Sequence, residues 1–410
     1  MHNSAPKLAL EDKLSRLPSI TNSLKIKAQN KLKILSQYIH SQVLFEVKLY
    51  DFPLTWVEQS LDAKCIRYIR DWLEMPISAC IKEPLTLPKS AAGLGINSFK
   101  HLAQKKLVHK RHALLHSQST DIQMLWAETS ACHVVVDQLI AQNKNSVKAA
   151  TKALKNEQNI NAIRHLNGLQ IQECVTKAIT AVIHRSNITL WSNTIEHMST
   201  LLHNFVRKAM LQVLPTALNL VRWKRMTDAS CPLCACGAPQ TNKHVLSNSG
   251  SAIALSRYST RHNDVLKLLI DWLKVVVSKD KLIYADLSDL SVLPVCDLFC
   301  NVRPDVAICS KNDIYTWELT VCHETNLESS RVYKQNRYAN IGNLGSSLAA
   351  GRKISPYTIE VSTLGFISTV SDFTSAVNIP TLPIDLKQSI TRSVINNSFI
   401  IYCNRNKSAN

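Results

Sequence analysis

Asp305 and Glu318 are the residues of this chain best suited to chemistry. They fall in the stretch RPDVAICSKNDIYTWELT, residues 303–320, where Asp305 opens the apolar run VAIC and Glu318 interrupts IYTWELTV. Strand interiors seldom hold a carboxylate without a partner, because an unpaired buried charge is costly. Two such acids on neighbouring strands point to a shared cation. If residues 313–321 form a strand, period-two alternation puts Ile314, Thr316, Glu318 and Thr320 on one face, and Tyr315, Trp317, Leu319 and Val321 on the other. Asp305 and Glu318 could then hold Mg²⁺ with its waters, and a bound metal would activate a water against a phosphoryl group. A nearby cation would stabilise the charge that develops. Arg331, Lys334 and Tyr338, spaced i, i+3 and i+7, share a helical face and supply candidates. Thr320 stands where an Asp…Glu-x-Lys pattern has its lysine. The alternative is structural: Asp305 caps a turn and Glu318 pairs with an arginine.

A second group has metal-ligand spacing. CPLCACGAPQTNKHVLSNS sets Cys231 and Cys234 as a C-x-x-C pair, with His244 ten residues beyond the second cysteine. That is the spacing of a Zn²⁺ knuckle. Ser249 stands where a fourth ligand would be expected, and Cys236 is the available substitute. The competing reading is a reduced, metal-free remnant.

The elements that must position these groups differ between the two halves of the chain. Residues 20–75 and 120–225 carry helical periodicity with few breakers. In CIRYIRDWL, Ile66, Ile69 and Leu73 mark one helical face. Two prolines and the pair Gly93 and Gly95 make residues 83–99 a turn-rich connection. The helix HLAQKKLVHKRHALLH then places Lys105, Lys106, Lys110 and Arg111 within two turns. This face is either simply solvated or tracks phosphates. After residue 260 the order is helix (RHNDVLKLLIDWLKVVV), short strands, helix (NLESSRVYKQNRYANI, with Asn326 as N-cap) and strand (SPYTIEVSTLGFI), an α/β module with its own core.

The 410-residue chain carries a formal net charge of +18. Residues 1–230 hold 30 Lys and Arg against 16 Asp and Glu, and residues 231–410 hold 18 against 14. A basic front half favours nucleic acid over acidic proteins or membranes. The N-terminal stretch MHNSAPKLALEDKLSRLPSI mixes charges and has no apolar core, unlike a secretory signal. No uncharged apolar run approaches the ~20 residues that span a bilayer. The twelve cysteines therefore read as reduced thiols or metal ligands rather than disulfides.

In this order the motifs resemble the C-terminal portion of a non-LTR retrotransposon protein of the type that carries a restriction-like endonuclease. LPKSAAGLGINSF resembles that family's LP…GGLGI-SF segment after the reverse-transcriptase thumb. RHN at 261–263 follows the knuckle, RPD precedes Glu318, ELTV resembles (E/D)LTV, and YKQNRY resembles a Lys-x-x-(Lys/Arg)-Tyr helix. The resemblance implies a mixed architecture: an all-α N-terminal half followed by an α/β restriction-like endonuclease domain. Its parts would be a thumb-like region (1–120), a helical linker (121–225), a degenerate zinc knuckle (226–260) and a PD-(D/E)xK-like nuclease (261–410). It implies Asp305 and Glu318 as Mg²⁺ ligands, and Lys334 as a catalytic lysine moved onto a helix. Tyr338 and Arg337 would support them, and Arg261 and His262 would contact nucleic acid. Target DNA, element RNA and a nuclear location follow from the same resemblance, with target nicking for primed reverse transcription as the activity. Three departures stand out: the polymerase palm and fingers are absent, Ala91-Ala92 precede Gly93 where the family has a second glycine, and Cys322-His323 replace Pro-Phe. The chain thus reads as a truncated copy that cannot polymerise, or as a catalytically dead nucleic-acid-binding fragment.

Overall fold

The computed structural model describes residues 4–50, 52–129, 133–144, 146–234, 236–287, 292–299, 303–338, 349–368 and 370–406. The fold is mixed: mostly helical, with a single five-stranded sheet in the C-terminal part among the described residues. Two compact units divide the chain, unit 1 comprising 1–89 and 93–170 and unit 2 comprising 90–92 and 171–410. Among the described residues no helix is long and apolar enough to cross a membrane.

Unit 1 is helical. Leu10, Leu14, Leu35, Ile39, Val43, Leu61, Ile69 and Phe99 are all fully buried. In the helix Ala63–Trp72 the inward stripe is Cys65, Ile69 and Trp72, with Ile66 only half-buried at its edge. The basic helix, α1 (Phe99–Leu115), starts at an N-cap serine: the Ser98 hydroxyl accepts from the His101 amide at 3.1 Å. Buried Asp62 takes two more of the amides a helix start leaves open, those of Phe99 (2.6 Å) and Lys100 (3.2 Å). Helix α2 (Val147–Asn167) packs against α1.

The turn-rich segment before α1 shows why its glycines stand where they do. A Cβ on Gly93 would lie 2.1 Å from the Leu87 carbonyl oxygen, and Gly95 has φ +69°. Ala92 also adopts a left-handed backbone, φ 58°, at the position where the family resemblance expects glycine. An L-residue with a Cβ meets its own carbonyl there, at a cost of roughly 1 kcal/mol or more. Ala92→Gly should therefore raise stability by about 1 kcal/mol, read from the midpoint of a urea titration, although glycine is ordinarily destabilising.

Unit 2 holds the sheet. Helix α3 (Ala252–Val276) begins at Ser251, whose hydroxyl accepts from the Ala254 amide at 3.2 Å. Leu266, Leu269, Ile270 and Leu273 recur at helical spacing and are buried. The strands β1 (Leu282–Ala285), β2 (Leu293–Pro294), β3 (Val306–Cys309), β4 (Asp313–Cys322) and β5 (Lys353–Ser362) lie in the order β2-β1-β3-β4-β5. β1–β3 and β3–β4 pair antiparallel, while β4–β5 pair parallel across helix α4 (Leu327–Tyr338). One apolar cluster joins Trp317, Leu319, Val306 and Ile308 to α3 and to Ile390 and Val394 of α5 (Ile384–Cys403). A second joins Ile314, Ala307 and Cys309 to Tyr338 of α4. The alternation expected for residues 314–321 thus divides β4 between two helical layers. Gly365, at φ +82°, turns the chain after β5 where an added Cβ would lie 3.0 Å from the Thr391 carbonyl of α5.

Asn326 does not cap α4. Its carboxamide oxygen accepts from Lys243 Nζ at 2.8 Å. A 3₁₀ turn, Glu324–Asn326, precedes the helix instead, and His323 caps that turn by accepting from the Thr325 amide at 3.3 Å.

Candidate active site

The register of β3 on β4 decides where the two acids meet. Val306 pairs with Trp317, so Asp305, one step outward, comes opposite Glu318. The Asp305 amide donates to Glu318 Oε2 at 3.2 Å, and the Leu319 amide donates to Asp305 Oδ2 at 2.7 Å. Each carboxylate is thus fixed by a main-chain donor of the neighbouring strand. Both residues are buried, Asp305 at 9% exposure and Glu318 at 4%.

Helix α4 brings the cation. Lys334 Nζ forms a short ion pair with Glu318 Oε1. One turn on, the hydroxyl of buried Tyr338 donates to the Arg303 carbonyl at 3.4 Å, and its phenol lies close enough to Glu318 to feel its charge. Burial and the neighbouring Asp305 charge push the Glu318 carboxyl above its usual range, and Lys334 offsets part of this. Burial, then the Glu318 charge, raises the Tyr338 phenol. Tyr338 is therefore a neutral hydrogen-bonding group, and its place against Glu318 makes it a positioning residue. Arg331, one turn before Lys334, pairs with Glu360 on β5 at 3.1 Å.

Two side chains arrive from positions that the sequence pattern assigned differently. His262 of α3 lies 3.3 Å from both Asp305 Oδ1 and the Leu319 carbonyl through Nε2. Burial alone would lower the imidazole's pKa, but the hydrogen bond and charge of Asp305 outweigh it and the net shift is upward. His262 thus faces Asp305 of the acid pair. Arg261, expected to contact nucleic acid, is 1% exposed: it donates to Ser398 Oγ at 3.0 Å and lies over the Tyr258 ring. An α3 residue one position round from His262 points into the core, and there it must stay.

Glu360 was not foreseen. It is 1% exposed, faces Thr320 across the β4–β5 ladder, and one of its oxygens has no hydrogen-bond partner. Its signal was available, since a lone acid inside YTIEVS repeats the pattern that singled out Glu318.

A donor set of two adjacent carboxylates suits a hard divalent cation. Burial, then the charge of Asp305, raises the Glu318 carboxyl, and Asp305 Oδ1 and the Leu319 carbonyl already converge on a single donor, His262 Nε2. A cation such as Mg²⁺ meets two carboxylates and completes its shell with water.

The knuckle residues also converge. Ligand atoms of Cys231, Cys234 and His244 lie within 4.8 Å of one another. Cys234 Sγ is 3.2 Å from His244 Nε2 and 2.7 Å from Cys236 Sγ, so Cys236 can reach the same point. A hairpin holds the loop, the Cys231 amide donating to Ala238 at 3.0 Å, with Gly237 at φ 65° in its turn. Ser249 is buried and lines a small cavity together with Cys231, Leu233 and Val245. Three protein ligands with an exposed fourth leave room for water, whereas a fourth thiolate closes a structural zinc site. Ser249→Cys should tighten Zn²⁺ binding at least ~10-fold in competition with a chromophoric chelator.

Compared with protein-family models and with curated proteins, the chain shows no match.

On α1, Lys105 and Lys110 are exposed and Lys106 is half-buried. Arg111 is not on that surface. It is 1% exposed, with Nε donating to Asp137 Oδ1 at 2.8 Å and further bonds to Thr129 Oγ1 and the Trp126 carbonyl. It is a structural tie inside unit 1, because a guanidinium can stay buried only where carboxylate and carbonyl oxygens meet its donors.

Proposed function

We propose that unit 2 carries a metal-dependent DNA endonuclease of the restriction-like class, in a chain that corresponds to the C-terminal portion of a non-LTR retrotransposon protein. The observation that carries this reading is the meeting of Asp305, Glu318 and Lys334 from β3, β4 and α4. The order helix, antiparallel strands, helix, parallel strand supports it, because it places both acids at adjoining strand positions under one helix. Asp305 and Glu318 would hold Mg²⁺, which when bound lowers the pKa of a coordinated water and offsets charge on the phosphoryl group. Lys334 offsets part of the upward shift of Glu318 and would supply the cation that faces developing negative charge. The strand amides hold the carboxylates in place, and His262 pairs with Asp305. The test is nicking of supercoiled plasmid by the purified chain in Mg²⁺, against the same mixture with chelator. Zn²⁺ would occupy Cys231, Cys234 and His244, with Cys236 or water completing the shell. DNA at the nuclease and element RNA on the basic helices, in the nucleus, are the partners and setting this function implies.

The basic face of unit 1 would grip the backbone through Lys105, Lys106 and Lys110. Changing all three to Glu should flatten the dependence of log affinity on log salt, by roughly 0.7–0.9 for each phosphate no longer neutralised. Arg111→Ala should leave that slope unchanged while destabilising the protein by about 3–5 kcal/mol, since it strands Asp137. Filter binding across a salt series and urea unfolding separate the two.

A further inference from the structure

Unit 1 contains a cluster that neither the nuclease nor the knuckle uses. Cys80 lies just before the short helix Lys82–Thr86, which carries Glu83, and His165 lies in the last turn of α2. The Cys80 thiol donates to Glu83 Oε2 at 2.7 Å, and His165 Nδ1 is 2.9 Å from Glu83 Oε1. One ligand atom from each residue lies within 4.8 Å of the other two. We propose that Cys80, Glu83 and His165 form a zinc-binding site that ties residues 80–83 to the end of α2.

The donor types select the ion. Thiolate and imidazole with a carboxylate suit Zn²⁺, whereas Mg²⁺ and Ca²⁺ take oxygen alone. Zinc with Zn–S of about 2.3 Å and Zn–N or Zn–O of about 2.0–2.1 Å sets tetrahedral ligand atoms about 3.3–3.6 Å apart. The contacts of 2.7 and 2.9 Å reach the two different oxygens of Glu83, so zinc would take one of these oxygens together with the Cys80 sulfur and the His165 nitrogen after side-chain rotation. Charge also balances, since one thiolate and one carboxylate neutralise the ion and His165 binds as neutral imidazole. Lys82, between the two ligands in sequence, pairs with Glu58. His165 is 61% exposed, so the fourth position opens to water. Burial and the Glu83 carboxylate push the Cys80 thiol up to about 12.

The experiment measures zinc per chain after stripping, reloading and washing, for the full chain and for His165→Ala, Cys80→Ser and Glu83→Gln. His165 is exposed, so its variant retains the fold, which circular dichroism checks. The expected result is one zinc equivalent fewer in His165→Ala and Cys80→Ser than in the wild type, whatever the knuckle holds. In Glu83→Gln that equivalent should bind at least ~10-fold more weakly. A Cys231→Ala/Cys234→Ala variant should lose a different equivalent, and zinc should raise its thermal midpoint only while His165 is present. Equal zinc content in the wild type, Cys80→Ser and His165→Ala would overturn the proposal.

Discussion

Asp305→Asn and Glu318→Gln should each reduce Mg²⁺-dependent nicking of supercoiled plasmid by ~10³-fold or more, with DNA affinity within about threefold of wild type. Each substitution preserves shape and removes one of the two charges that would hold the cation. The magnitude follows from the loss of a preorganised charge in a buried site, where the interaction is far stronger than in water. Fold damage should be slight. In Asp305→Asn the Leu319 amide, now 2.7 Å from Oδ2, can still find a carbonyl oxygen, and in Glu318→Gln the Asp305 amide can do the same. Relieving the repulsion that raises Glu318 further offsets any weakened hydrogen bond. Plasmid nicking by gel, run beside thermal unfolding, reads both quantities. Nicking at the wild-type rate by both variants would remove the acid pair from the chemistry.

The acids were legible because each breaks a local rule. Asp305 and Glu318 stand inside apolar strand runs, and period two alone puts Glu318 on the face opposite Trp317. Lys334 was legible through helical spacing. What spacing could not supply was the partner of each side chain when that partner lies far along the chain. His262 and Arg261 are adjacent on α3, yet one faces Asp305 and the other Ser398, because a helix rotates about 100° per residue and the sheet lies on one side only. Arg111 read as part of a basic face because a charge run records sign and not burial, and its ligand Asp137 lies outside that run. Glu360 escaped for a different reason. Its strand carries the same lone-acid signature as Glu318, but no motif drew attention to it. Ala92 shows the reverse: nothing about an alanine marks its place, and only the backbone, with φ positive there, makes it visible.

Lys334→Met should lower the nicking rate by about 10²–10³-fold and move the acid limb of its pH profile upward. The sign follows from the groups around Glu318. Burial and Asp305 raise its carboxyl, while Lys334 is the charge that lowers it. Without Lys334 the carboxyl holds its proton to higher pH, and a divalent cation, which needs the ionised form, must displace that proton. Activity lost as pH falls is therefore lost earlier in the variant, and added Mg²⁺ should recover part of it by mass action. Lys334→Arg keeps the charge, so its acid limb should stay near the wild-type position even where the longer guanidinium slows the reaction. Glu318→Gln removes the titrating group, and the residual activity of Lys334→Met/Glu318→Gln should lose that limb altogether. The measurement is the initial nicking rate across pH at two Mg²⁺ concentrations. An unshifted limb in Lys334→Met would show that the ion pair with Glu318 serves α4 packing alone, and the developing charge would then have to be met by another cation.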